Sequence, residues 1–146
     1  MSKRVLITGG NKGIGLAVSR AMLEFGYEVI IVARDFDTCP IVGVKNVTAI
    51  EYDLSDVDGL PELAKTVGNI DILINNAGYM QPKYTYNNYP KDAREHIMNV
   101  DLYTPVELMN IFCEHMKKQK YGRIVNTASI AGQIGHPDVW YGIAKA

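Results

Sequence analysis

A chain of 146 residues, 47% of them hydrophobic, can bury the core of one domain, and 16 acidic against 15 basic side chains leave a formal charge of −1. With a pI of about 6.3 and scattered cations it offers no basic surface for nucleic acid. No apolar run reaches membrane-spanning length, the apolar run after Met1-Ser2-Lys3-Arg4 is too short for a signal peptide, and Cys39 and Cys113 have neither disulfide nor metal spacing, so two free thiols in a cytoplasmic protein are expected.

Arg4-Val5-Leu6-Ile7 reads as a buried strand and Leu16–Leu23 as a helix. Between them lies Thr8-Gly9-Gly10-Asn11-Lys12-Gly13-Ile14-Gly15. A strand, a glycine turn and a helix make a phosphate cradle. The helix N-terminus offers unpaired N–H groups and the positive end of its dipole, and glycines admit a pyrophosphate where a Cβ would hold it off. Without a ligand the same glycines make a plain turn. The spacing T-G-x-x-x-G-x-G also differs from the common G-x-G-x-x-G pattern.

Gly26 closes the helix, and Val29-Ile30-Ile31-Val32 is a continuous β-branched run, as in a parallel strand buried on both faces. Together they form a right-handed βαβ unit. A dinucleotide site usually carries an acid at the end of this second strand, for the ribose 2′-hydroxyl. Here Ala33 stands there and Arg34 follows. The planar fork of arginine suits a 2′-phosphate, and Lys12 can reach the same group. As plain surface residues they are two ordinary cations, and Asp35 competes for Arg34.

Residues 35–45, punctuated by Pro40 and Gly43, lack a helical pattern. Val47–Tyr52 reads as the third strand, ended by Asp53-Leu54. A short helix within Asp58–Lys65 carries Pro61 in its first turn. Ile70–Ile74 is the fourth strand, followed by the small residues of Asn75-Asn76-Ala77-Gly78. The loop from Tyr79 to Pro90 holds Tyr79, Tyr84, Tyr86 and Tyr89, either as a pocket wall or subunit contact or as a surface cluster of their own. A long helix is predicted over Asp92–Lys118, apolar on more than one side, with Pro105 bending it because the Asp101 carbonyl loses its N–H partner. Gly122–Ala128 is the fifth strand, Ser129–Gly132 leaves it, and Tyr141-Gly142-Ile143-Ala144-Lys145 follows a loop. Tyr141 and Lys145, four apart, share a helix face.

In this order, the glycine turn, N-N-A-G, a serine after the fifth strand and Y-x-x-x-K resemble the short-chain dehydrogenase/reductase family over nearly the whole chain. The resemblance implies a doubly wound parallel α/β sheet, Rossmann-like, in strand order 3-2-1-4-5, forming a single NAD(P)-binding domain over residues 1–146. It implies NADP rather than NAD, bound by Thr8, Gly9, Asn11, Lys12, Gly13, Ile14, Gly15 and Arg34. Asp53 and Leu54 would meet the adenine, although Asp53 also reads as a turn or cap residue. The amides of N-N-A-G would brace the central sheet, and the backbone of Asn75, Ala77 and Gly78 would lie by the ribose. Ser129, Tyr141, Lys145 and Asn99 would interconvert a carbonyl and an alcohol, with Asn99, in Met98-Asn99-Val100, holding a relay water.

The proton chemistry also stands without the resemblance. A free tyrosine titrates at about 10, and an ammonium one helical turn away favours its phenolate. Ser129 and Tyr141 are twelve apart, one fewer than is common in the family, and the loop 133–139 absorbs the difference. Thr127 fits the serine's place less well. His136 has no visible carboxylate partner and reads as a bystander, and His96 and His115 read as helix-surface residues.

The implied partners are a small carbonyl or alcohol and a second copy of the chain paired through the helix 92–118, with no nucleic acid, membrane or metal. A silent dinucleotide-binding protein is the alternative, and a sugar-nucleotide epimerase, with its tighter turn, ranks lower. Relatives continue past Lys145 with further strands, so the 146 residues are expected to be part of a longer or completed protein. Made alone, they are expected to bind NADP weakly and not turn over.

Overall fold

The computed structural model describes residues 2–81, 84 and 88–146. Five parallel strands form one sheet in the order β3-β2-β1-β4-β5. They are β1 Arg4–Thr8, β2 Glu28–Ala33, β3 Val47–Glu51, β4 Ile72–Asn75 and β5 Arg123–Asn126. The sheet is Rossmann-like, in the order expected from the sequence. β1 sits at its centre, in register with β2 (Leu6 opposite Ile30) and with β4 (Leu6 opposite Leu73).

The continuous apolar runs follow from this placement. Successive side chains of a strand point to opposite faces, so both faces of β1 and β2 need cover. Leu6, Ile30, Val32 and Leu73 face a core built with Leu60, Leu63 and Val67 of α2 (Leu60–Val67) and Leu108, Phe112 and Met116 of the helix Thr104–Lys118. Val5, Ile7, Val29, Ile31 and Ile74 face the other core, against Leu16, Val18 and Met22 of α1 (Gly13–Glu24). Each fully buried aliphatic side chain contributes roughly 2 kcal/mol. Residues 34–46 hold no helix; instead Cys39 and Ile41 fold back onto the second core.

The predicted long helix is interrupted. It runs as α3 (Lys91–Met98), a π turn (Asn99–Tyr103) and α4 (Thr104–Lys118). Pro105 has no N–H for the Asp101 carbonyl. The ladder has already widened before it, and the Thr104 N–H reaches back five residues to the Asn99 carbonyl. The disturbance therefore falls upstream of the proline, in a form frequent at functional sites. The broad apolar band is largely used within the chain: Ile97, Val100, Leu108, Phe112 and Met116 are all buried.

α5 (Val139–Lys145) follows a single 3₁₀ turn at Ile130–Gly132. Asp138 caps it, accepting the Tyr141 N–H at 3.0 Å on one carboxylate oxygen and the Gln81 N–H at 2.8 Å on the other. Among the described residues β5 pairs only with β4, and Val125 is 50% exposed. No helix among the described residues is long and apolar enough to cross a membrane.

Candidate active site at the carboxyl edge of the sheet

The carboxyl ends of the strands open into a cavity of about 490 Å³. The glycine turn forms one end. Gly9 has φ +65°, and a Cβ on it would lie 3.0 Å from Ala77 Cα. Gly15 is tighter: a Cβ there would lie 2.1 Å from the Gly9 carbonyl oxygen and 2.5 Å from Asn76 Nδ2. The first ladder bond of α1 runs from the Leu16 N–H to the Lys12 carbonyl, so the N–H groups before Leu16 are free of the helix and can meet an anion.

Most of the residues expected from the sequence line this cavity. Gly9, Asn11, Lys12, Ile14, Gly15, Arg34, Asp53, Leu54, Ala77, Gly78, Ser129, Tyr141 and Lys145 are all on its wall. Arg34 is exposed, its guanidinium 5.9 Å from the centre of the Tyr79 ring, at the outer reach of a cation–π contact. One Asp53 carboxylate oxygen accepts the Ser55 N–H at 2.9 Å. That bond, aided by the charges of His96 and Arg34, holds Asp53 below the usual carboxylate range. The turn reading of Asp53 is thus realised while the residue still faces the cavity.

Four expected residues lie off this wall. Thr8 is buried, and its Oγ1 accepts the N–H groups of Asn76 and Ala77, both at 3.0 Å. It joins β1 to the N-N-A-G segment instead of facing the cavity. Asn75 donates to Asn126 Oδ1 at 2.8 Å, a sheet-bracing contact of the kind expected of its amide. Gly13 starts α1 with φ +53° and is not on the wall. Asn99 Nδ2 donates to the Ser55 carbonyl at 2.9 Å, so this amide group is bound to the loop after β3.

The residue of that segment which meets the pair is Asp101, in the middle of the π turn. Its side chain is 0% exposed, and Oδ1 lies 3.2 Å from Lys145 Nζ, itself 8% exposed. The approach is off the hydrogen-bond direction, so Oδ1 is held by charge and has no directed partner. The other oxygen accepts the Tyr79 N–H at 2.9 Å. Burial pushes Asp101 above the usual carboxylate range, against the Tyr79 bond and the Lys145 charge. Lys145 also donates to the Thr127 carbonyl at 3.3 Å and lies 5.9 Å from the Tyr141 ring centre. Ser129 caps the 3₁₀ turn, its Oγ accepting the Ala131 N–H at 3.2 Å.

Sequence reasoning also missed Asp138 and underrated His96. An aspartate just before a helix is a cap signal and was available for Asp138. His96 is half-buried on the cavity wall, its ring 4.4 Å from that of Tyr79. His136 sits 5.6 Å from the Tyr141 ring, with Nδ1 taken up by the Asp138 backbone N–H. Among the expected loop tyrosines, Tyr84 and Tyr89 pack together at 5.5 Å; Tyr86 lies outside the described residues. Cys39 and Cys113 are free thiols.

The sequence matches the short chain dehydrogenase family over residues 3–146. The chain belongs to that family. Curated short-chain dehydrogenase relatives include the ketoacyl reductase HetN of a Nostoc species, 35% identical over 91% of this chain and 50% of that protein. Another is the acetoacetyl-CoA reductase of Shinella zoogloeoides, 31% identical over 100% of this chain and 63% of its own length. The chain thus spans between half and two thirds of the length of these relatives. Among solved structures, a metagenomic short-chain oxidoreductase in complex with NADP superposes with a TM-score of 0.89 at 27% identity, over 98% of this chain and 69% of that one. A 4-hydroxyisoleucine dehydrogenase complexed with NADH superposes at 0.90 and 27%, over 99% and 62%.

Proposed function

We propose that this chain carries the cofactor-binding and acid–base part of an NADP-dependent oxidoreductase that interconverts a carbonyl and an alcohol. One observation carries the reading: a single cavity joins the glycine turn and its free helical N–H groups to Ser129, Tyr141 and Lys145. The residues fit a dinucleotide. The turn is closed to a Cβ at Gly9 and Gly15, Arg34 follows the end of β2 where an acid would select NAD, and Lys12 of the glycine turn and Asp53 after β3 line the same cavity. When bound, the nicotinamide supplies or accepts hydride. The chain's own residues do the rest: the Ser129 hydroxyl orients the substrate oxygen, the Tyr141 phenol gives it or takes from it a proton, and the Lys145 charge favours the phenolate. The relatives named as reductases support this direction of chemistry.

Consumption of NADPH by the whole protein against a panel of ketones and aldehydes tests the reading. Cofactor binding without turnover of any carbonyl or alcohol would leave a silent dinucleotide-binding protein in its place. The preference for NADP has its own test. Arg34→Asp puts a carboxylate beside the 2′-oxygen and repels phosphate. It is expected to weaken NADPH binding roughly tenfold to a hundredfold, the worth of a charged hydrogen bond, and to reverse the preference. Tighter NADH than NADPH binding by the unmutated protein, at both low and moderate salt, would sink it.

Pairing of two copies along residues 92–118 belongs to the same reading, and so does a cytoplasmic location. Tyr103 (51% exposed) and Val106 (39% exposed) are the large apolar side chains this segment leaves open. Light scattering of the whole protein as a monomer at high concentration would remove the pairing.

A further inference from the structure

We infer that Asp101 is a positioning residue that compensates the Lys145 ammonium and thereby keeps Tyr141 as a phenol, the proton-donating form that carbonyl reduction needs. The inference rests on Tyr141 being the proton donor. Its structural basis is separate from that assignment.

Asp101 lies on the π turn, where the widened helix places a carboxylate in the interior beside α5. Its Oδ1 is 3.2 Å from Lys145 Nζ, and both side chains are almost wholly enclosed. Gly78 closes over the pair: a Cβ on it would stand 3.1 Å from Oδ1 and 3.6 Å from Nζ. The geometry is fixed from two further sides, by the Tyr79 N–H on Oδ2 and by the Thr127 carbonyl on Nζ. Coulomb interactions are strong in such a setting. An uncompensated ammonium beside Tyr141 would draw its proton off, whereas an ammonium paired to a buried carboxylate does so far less.

Among the described residues, the other groups around the pair are few. From α5 and its cap come Tyr141 and Asp138, whose negative charge also acts on Asp101. His136 lies against Tyr141, and His96 of α3 stands behind Tyr79. Lys12, Arg34, Asp35, Tyr52 and Asp53 lie on the wall of the same cavity. The strand ends contribute only neutral residues: Asn75, Ala77, Thr127 and Ala128. In reduction the Tyr141 O–H bond would break and its proton would pass to the substrate oxygen, the dinucleotide held at the glycine turn supplying the hydride when bound, and the phenolate would regain a proton from solvent. In oxidation the phenolate would take the alcohol proton, and the oxidised dinucleotide would accept the hydride.

The test is a titration of the tyrosinate ultraviolet band in the whole protein. Subtracting the spectrum of Tyr141→Phe isolates Tyr141. In an Asp101→Asn background, which keeps the shape and the acceptor for the Tyr79 N–H, the Tyr141 phenolate is expected to appear about one pH unit lower. The alkaline limb of carbonyl reduction and the acidic limb of alcohol oxidation should both move down with it. Lys145→Met should remove the effect of Asp101→Asn. A second measurement needs no Asp101 variant: carboxyl carbon NMR of the unmutated, aspartate-labelled protein should show Asp101 ionised at neutral pH. An unmoved Tyr141 titration, or a proton on Asp101 at neutral pH, overturns the inference. If the titration shifts but no carbonyl is reduced, the charge coupling stands and the assignment of function falls.

Discussion

Tyr141→Phe is expected to lower turnover by about a hundredfold to ten-thousandfold, the usual worth of a positioned acid or base, while dinucleotide affinity stays nearly unchanged. Only the hydroxyl is lost. The ring remains half-buried on the cavity wall, and the backbone N–H stays bonded to Asp138. Lys145→Ala is a different change, because it leaves Asp101 enclosed without its cation and removes a side chain that lines the cofactor cavity. It should therefore lose stability and cofactor affinity as well as rate. Stopped-flow rates and a cofactor titration on each variant separate the two outcomes. A Tyr141→Phe protein that retains substantial turnover would show that the proton comes from elsewhere.

Gly15→Ala is expected to destabilise the fold by roughly 1–3 kcal/mol or more and to abolish tight dinucleotide binding. Intrinsic helix propensity argues the other way, since alanine is favoured over glycine inside a helix by about 1 kcal/mol. Sterics decide, because the added carbon would meet the Gly9 carbonyl oxygen at 2.1 Å and the carbonyl carbon at 2.8 Å. These are backbone atoms of the turn itself and cannot swing aside as a flexible side chain would. A urea midpoint equal to or above that of the unmutated protein would contradict this. Gly26→Ala is the useful contrast: nothing lies within 4 Å of its added carbon, and its cost is that of φ +80° alone.

What could be read from the sequence is what depends on type and period. Val29–Val32 announced a strand buried on both faces, and the two cores on either side of Ile30 and Ile31 are the reason. The glycine turn was legible because close approach leaves no alternative residue at Gly9 or Gly15. Tyr141 and Lys145 were legible because helical spacing fixes which side chains share a face. The break in the long helix was placed at Pro105, but an extra residue in one turn rotates everything after it, and neither the position of that slip nor its sense is written in local propensity. The carboxylate that meets Lys145 comes from Asp101, a residue that helical period does not single out. The signal for Asp101 was an acid between Val100 and Leu102 in an otherwise apolar stretch, which a buried partner, Lys145, has to explain.

The Thr8 hydroxyl has a bearing on motion. Thr8 ends the central strand, its Oγ1 takes the N–H groups of both Asn76 and Ala77, and Asn76 Nδ2 returns to the carbonyls of Thr8 and Gly9 at 3.1 and 3.2 Å. The Gly9 N–H in turn bonds the Val32 carbonyl of β2 at 2.8 Å. Three strands are thus tied at one point beneath the cavity. These ties stiffen the floor, so a ligand reaching it is expected to conform to it. Induced fit is left to the rim, where Lys12 and Arg34 stand exposed on long side chains. Discrimination between ligands that share the same phosphates is therefore expected at the rim, with the floor contributing affinity common to them all.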